Sequence, residues 1–227
     1  MKKRMKLKTL TCVAATILIA ALLNPIRLAA QEHSVQQTQR QQHHRRYKFV
    51  DLGTFGGPAS ATGPGALNSR GMLVGGAETA IPDLPTSNGF PCGPGGFIGH
   101  AFEWQKGVRT DLGTLPGVDK CSAVEVINER GDAAGNSETD VIDPVLGLFA
   151  IRAVLWKDGH IADLGSLGTE SAAHGINNRE QVVGIWINVT PDPYSFFAPF
   201  GETRAFLWEK GVINDLGTLV LTPKRST

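Results

Sequence analysis

The stretch Trp104-Gln105-Lys106-Gly107-Val108-Arg109-Thr110-Asp111-Leu112-Gly113 returns as Trp156-Lys157-Asp158-Gly159-His160-Ile161-Ala162-Asp163-Leu164-Gly165. It returns again as Trp208-Glu209-Lys210-Gly211-Val212-Ile213-Asn214-Asp215-Leu216-Gly217. The spacing Trp-x-x-Gly-x-x-x-Asp-Leu-Gly is the same in all three copies. A Lys-Gly or Asp-Gly pair between two extended runs fits a two-residue hairpin, because the primed turn needs positive φ at both central residues and glycine adopts it freely. Each copy therefore predicts a strand, a tight turn and a second strand. One further tetrad, Asp51-Leu52-Gly53-Thr54, precedes them, so successive Asp-Leu-Gly-Thr/Ser tetrads lie 60, 52 and 52 residues apart. Chance does not produce such self-similarity, and a period near 50 residues is that of a repeat architecture.

Outward from these hairpins, an Asn recurs at Asn68, Asn128 and Asn177, and seven residues beyond each stands a glycine, Gly75, Gly135 or Gly184. Asn tolerates the left-handed region and its side chain closes an Asx turn, so these positions mark further turns. The unit reads as four short strands: one before Asp-Leu-Gly (Val108 to Leu112), one before the Asn (Ala123 to Ile127), one after it (Gln181 to Val189) and one running into the Trp (His100 to Trp104, Arg204 to Trp208). On this phasing Lys106-Gly107, Asp158-Gly159 and Lys210-Gly211 join one unit to the next, and Tyr47 to Leu52 is a lone first strand. In the last unit Val183, Ile185, Ile187 and Val189 alternate with Val182, Gly184 and Trp186, so both faces are apolar and the strand is expected to be covered from both sides.

The expected fold is all-β: repeated four-stranded antiparallel units, propeller-like, with three blades forming an open or incomplete set. A three-sheet prism and a β-solenoid are the alternatives. The units fall at about 51–110, 111–162 and 163–214, with a closing strand at 215–219, inside a β-repeat domain at 47–220 and before a tail at 221–227. Three blades leave an open arc, a truncated gene product, or a chain that completes itself with a second copy.

Residues 1–30 read as a secretory signal peptide: bases at Lys2, Lys3, Arg4, Lys6 and Lys8, an apolar run from Thr9 to Leu23, and small residues before a cut placed after Ala30. The run is shorter than the roughly 20 residues of a spanning helix, so no membrane association is expected after cleavage. The expected localisation is secreted, extracellular or periplasmic. Residues 31–46, rich in Gln, His and Arg, read as a disordered linker that cannot bury a core. The formal net charge of +1 hides an asymmetry: residues 49–227 hold twelve Lys and Arg against twenty Asp and Glu, a net −8. An acidic body argues against a nucleic-acid partner.

These residues resemble a known family. Asp51 to Gly57 (Asp-Leu-Gly-Thr-Phe-Gly-Gly), Gly175 to Gly184 (Gly-Ile-Asn-Asn-Arg-Glu-Gln-Val-Val-Gly) and His100 to Trp104 (His-Ala-Phe-Glu-Trp) are similar to the bacterial HAF-type extracellular repeats, named for His-Ala-Phe. The resemblance covers about residues 47–219 and implies an exported β-repeat protein of unsettled molecular role. Members look longer than this chain, and it lacks the C-terminal apolar sorting tail of some relatives. Arg152-Ala153-Val154 and Arg204-Ala205-Phe206 replace His-Ala-Phe in the later copies, so the His is not a required ligand.

A search for chemistry finds little. Trp104, Trp156, Trp208, Gly107, Gly159, Gly211, Asp111, Asp163, Asp215, Gly113, Gly165, Gly217, Asn68, Asn128 and Asn177 read as structural. One carboxylate per unit, followed by Leu-Gly, offers too few oxygens for calcium, and no metal or other cofactor is expected. No Gly-x-Ser-x-Gly occurs, and His100 and His174 near Glu103 and Glu170 are the nearest approach to an acid–base pair. An oxidising compartment permits a Cys92–Cys121 disulfide; two free thiols are the alternative. The irregular stretches between third and fourth strands carry Phe90, Phe97, Phe149, Tyr194, Phe196, Phe197 and Phe200. These rings either form a contact surface for a protein, a glycan or another copy, or fold back onto the sheet ends.

The functional expectation is a secreted, non-enzymatic interaction or structural module. A glycan-binding or glycan-degrading protein working through its insertion loops is the alternative, and a buried cluster of ionisable groups drawn from several copies would favour a reactive centre.

Overall fold

The computed structural model describes residues 47–83, 92, 94–144, 147–192, 195 and 201–217. The leader, the linker, Phe90, Tyr194, Phe196, Phe197, Phe200, Thr218 and the tail lie outside them. Residues 47–50 fall outside the β-repeat body, which begins at Asp51. They form no strand, so the lone first strand expected at Tyr47 to Leu52 is not there, and Tyr47 and Phe49 are 88% and 92% exposed.

The body is all-β, with no helix among the described residues. Its first sheet contains β1 (Gly56–Ala61), β2 (Leu73–Pro82), β3 (Phe97–Gln105) and β4 (Val108–Gly113). The second contains β5 (Ser122–Ile127), β6 (Ala133–Ile142), β7 (Phe149–Lys157) and β8 (His160–Asp163); the third contains β9 (Glu170–Ile176), β10 (Val182–Pro191), β11 (Gly201–Glu209) and β12 (Val212–Asp215). Each sheet is antiparallel with its strands in chain order. Three four-stranded, propeller-like units are thus present.

Their phase differs from the sequence expectation. The Lys106-Gly107, Asp158-Gly159 and Lys210-Gly211 turns have positive φ at both residues (51° and 89°, 51° and 76°, 53° and 81°) and close hairpins inside one sheet, Gln105 pairing with Val108 and Lys157 with His160. They do not join one sheet to the next. The passage between sheets is made instead by the Asp-Leu-Gly turn, so sheets break after Gly113 and after Asp163.

The second sheet is sandwiched. Val154 and Trp156 of β7 pack with Val124 and Ile127 against Val74 and Ala101 of the first sheet. The alternate residues, Ala153 and Leu155, pack with Ala134 against Val182, Trp186 and Phe206 of the third. Period-two alternation thus feeds two cores from one strand, each fully buried Val, Leu or Phe contributing roughly 1.5–3 kcal/mol. Gly184 makes room for this packing, since a Cβ there would lie 2.8 Å from the Phe206 ring; Gly75 meets the Phe102 ring at the same distance, on the side of the first sheet turned away from the second.

Sheet three departs from expectation. Val182 is fully buried against sheet two, but Val183, on the opposite face, is 45% exposed, and Ala205 beside it is exposed. The face read as covered from both sides is covered from one, because among the described residues no further sheet follows it. At the other end of the stack Leu67, paired with Leu73, is 63% exposed.

Candidate functional site

Each Asp-Leu-Gly aspartate closes its own turn. Asp51, Asp111, Asp163 and Asp215 accept through Oδ1 from the N–H of Gly53, Gly113, Gly165 and Gly217 at 2.9, 2.8, 2.7 and 2.9 Å, and these glycines take φ of 68°, 72°, 82° and 73°. The second oxygen of two of them holds the basic residue eleven positions earlier: His100 Nδ1 lies 2.8 Å from Asp111 Oδ2, and Arg204 donates to Asp215 Oδ2 at 3.1 Å. His100 and Arg204 therefore do one job at the first position of the His-Ala-Phe triplet, while Arg152 in the middle copy donates to the carbonyls of Ile151 and Thr169. The hydrogen bond to Asp111 raises the His100 pKa against the opposing effect of burial. Burial pushes Asp111 up, but the bonds from His100 and Gly113 hold it below the usual carboxylate range. His174 is likewise raised by its hydrogen bond to Glu125, at 2.7 Å. Neither His meets Glu103 or Glu170, so the acid–base pairs considered from sequence do not form.

The asparagines build a column across the sheets. Asn128 Oδ1 accepts from the N–H of Arg130, Gly131 and Asp132, closing its turn. Asn68 Nδ2 donates to the carbonyl of Asn128 at 3.0 Å, and Asn128 Nδ2 donates to the carbonyl of Asn177 at 3.1 Å. The sequence identified the turns but not their stacking.

A serine, unrecognised in the sequence, locks each sheet to the next. The fourth strand bulges at Leu112, between the Phe102–Asp111 and Ala101–Gly113 pairs. There Ser122 Oγ of the second sheet accepts from Ala101 N–H at 2.9 Å and donates to Gly113 O at 2.7 Å. Ser171 of the third sheet does the same for Ala153 N–H and Gly165 O, at 2.9 and 2.7 Å. The recurring dipeptides Ser60-Ala61, Ser122-Ala123 and Ser171-Ala172 were the available signal.

At the end of the sheets bearing the insertions, buried or half-buried acids hold backbone amides. Glu78 accepts from Ala59 and Gly95, Glu138 from Cys121, and Glu170 from Ile151 at 2.5 Å. Cys92 and Cys121 are disulfide-bonded, with Cα atoms 5.9 Å apart, tying the β2–β3 insertion to the second sheet, and Asp83 accepts from Cys92 N–H at 2.8 Å. Their sulfurs are therefore not metal ligands. Phe97 and Phe149 are half-buried at the heads of β3 and β7, and Lys120 sits 3.2 Å over the Phe149 ring.

Asp143, which follows β6, and Glu170, which opens β9, bring two carboxyls from different sheets together at 1% and 7% exposure. Burial first, then the neighbouring Asp143, push the Glu170 carboxyl up to about 8, against the backbone bond from Ile151 and the charge of Arg152. A carboxyl still protonated at neutral pH is the form a general acid takes. Yet Glu170 Oε2 is already engaged by a strand amide, and neither carboxyl reaches the surface. As placed, the pair fastens the second sheet to the third. Compared with family models, with curated proteins and with solved structures, the chain matches none.

Proposed function

We propose that this chain is an exported, non-enzymatic β-repeat protein that works outside the cytoplasm as an interaction or structural module. The observation that carries this reading is the open apolar face of the third sheet, where Val183 and Ala205 stand exposed on a rigid, hydrogen-bonded surface. Exposed apolar patches on such surfaces serve contact with other molecules. The repeated Asp, Asn and Ser side chains support it too, because each is engaged in turn closure or sheet-to-sheet bonding. The signal-like leader, the similarity to HAF-type repeats and a disulfide suited to an oxidising compartment agree with export.

Expression of the full-length gene in a bacterial host tests it. The expected product lies outside the cytoplasm, shortened after Ala30 and with Cys92 and Cys121 oxidised; retention in the cytoplasm with free thiols would refute export. A second reading, a glycan-binding or glycan-degrading protein, draws support from the protonated Glu170 beside the insertion loops. A glycosidase activity abolished by Glu170→Gln in a protein that stays folded would establish that reading instead.

A further inference from the structure

We infer that the open face of the third sheet binds the outer side of the first sheet, around Leu67 and Ser60, in a second copy of this chain, so that copies associate head to tail. This names the partner within the interaction-module reading and rests on it. The evidence is positional. By register against Gly75, Gly135 and Gly184, the residues Val74, Ala134 and Val183 are equivalent. The first two are fully buried against the following sheet, and the third is 45% exposed. Ala101, Ala153 and Ala205 repeat the pattern: two are fully buried, and the last is exposed. The other end mirrors it. Ile127 and Ile176 pack against the preceding sheet, Ile127 at 8% exposure, whereas their equivalent Leu67, which has no preceding sheet, is 63% exposed. The two ends thus carry the halves of an interface that the described residues form twice, with two differences on the first sheet. Phe102, at the position of Val154 and Phe206, is already fully buried, and Arg109, bonded to the carbonyls of Leu52 and Thr54, stands where Ile161 and Ile213 pack against the preceding sheet.

The polar features are halved in the same way. Ser60 pairs in register with Ala77 as Ser122 does with Ser137 and Ser171 with Trp186, which makes it the equivalent of the two bulge-locking serines. It is exposed, and among the described residues it meets no such bulge. Conversely, Ala205 N–H and Gly217 O, the third sheet's equivalents of the groups that Ser122 and Ser171 hold, have no serine above them among the described residues. In the Asn column, Asn177 uses its amide on Gln181 at 2.7 Å as Asn128 does on Asp132 at 2.8 Å, but among the described residues it meets no second acceptor such as Asn128 finds in the next sheet. In the head-to-tail complex Ser60 of the partner copy bonds Ala205 N–H and Gly217 O, and Asn177 donates to the partner copy's Asn68 carbonyl. A heterologous contact of this kind closes into a ring or extends as a filament. Two copies joined at both ends hold six of the described sheets, three from each, within the roughly four to eight of closed propellers.

Sedimentation of the protein recovered from the full-length gene is the test, with Val183→Glu blocking one face and Leu67→Glu the other. Wild type is expected as a dimer or larger species. Each variant alone is expected to lose about a hundredfold or more in association with unchanged circular dichroism, because a charge is buried unpaired, and an equimolar mixture of the two variants restores a one-to-one pair through their intact faces. Ser60→Ala, which leaves the fold untouched, is expected to weaken association about tenfold. A wild-type monomer at every concentration overturns the proposal, as does association that none of the three substitutions alters. An exported, inert monomer would sink self-association while sparing the module reading; a glycosidase would sink the reading itself.

Discussion

Glu170 and Asp143 face each other across the junction of the second and third sheets, and their proximity within a buried site holds Glu170 protonated at neutral pH. The folded protein therefore binds a proton that the unfolded chain releases near the ordinary value of 4.5. Because the native state binds more protons between about 4.5 and 8, stability is greatest below that window and falls as pH rises through it. The raised His100 and His174 act in the same direction above 6.5. Thermal midpoints are expected to drop between pH 5 and pH 9, with Glu170 contributing on the order of 1–2 kcal/mol after partial hydration of the site, at about 2–4 °C per kcal/mol. Glu170→Gln, a neutral mimic of the protonated acid, should flatten that slope. An unchanged slope in the variant would remove Glu170 as its source.

The recurring glycines differ in why they are glycine. Gly135 has a Cβ-sized gap closed by the backbone of Ala123 and Val124, so Gly135→Ala is expected to cost about 2–3 kcal/mol by overpacking. Gly159 points into open space and is constrained only by its φ of 76°, so Gly159→Ala should cost about 1 kcal/mol. Chemical denaturation of both variants checks the order; equal costs would contradict the packing argument.

These contrasts mark where the sequence was legible. The Lys106-Gly107 hairpin and the Asp111 turn were readable because their chemistry is local: positive φ and an Asx bond depend on residues within a few positions. The phase of the unit was not. A strand after a hairpin joins its predecessor's sheet or begins another with the same periodicity, and the deciding contact, Ser122 entering the bulge at Gly113, lies between sheets. The faces of β10 misled for a related reason. Val183 records what its face is suited to touch, as Val74 and Ala134 do, without recording whether that partner belongs to the same chain. Asp143 recurs as Asp83 and Asp192, each eight residues after the repeated glycine, but the position of Glu170 is Ala59 and Cys121 in the other copies, so the meeting of two carboxyls was not periodic.

Asn128 and Asn177 occupy equivalent turns in unequal environments. Asn128 is 5% exposed, and its side chain serves three backbone N–H groups, Asp132 and the carbonyl of Asn177. Asn128→Ala strands those buried donors and is expected to cost about 2–4 kcal/mol. Asn177 is exposed, and water replaces what Asn177→Ala removes, so about 1 kcal/mol is expected from urea titration of the monomer. A larger cost at Asn177 than at Asn128 would mean that the column does not stabilise the stack from its centre.

The disulfide gives the last prediction. Cys92 and Cys121 are separated by 29 positions, and a closed loop of that size restricts the unfolded chain by about 3–4 kcal/mol on the chain-entropy account. Reduction, or replacement of both cysteines by alanine, should lower stability by that order. The effect is expected on the first-to-second-sheet junction ahead of the second-to-third, because the bridge anchors the β2–β3 insertion beside Cys121, and the Glu170 pair does not depend on it. Hydrogen exchange separates the two junctions: on reduction, the amide of Ala101, held by Ser122, should exchange faster, while that of Ala153, held by Ser171, should change little. Equal acceleration at both amides would show that the three sheets open as one unit and that the bridge has no local role.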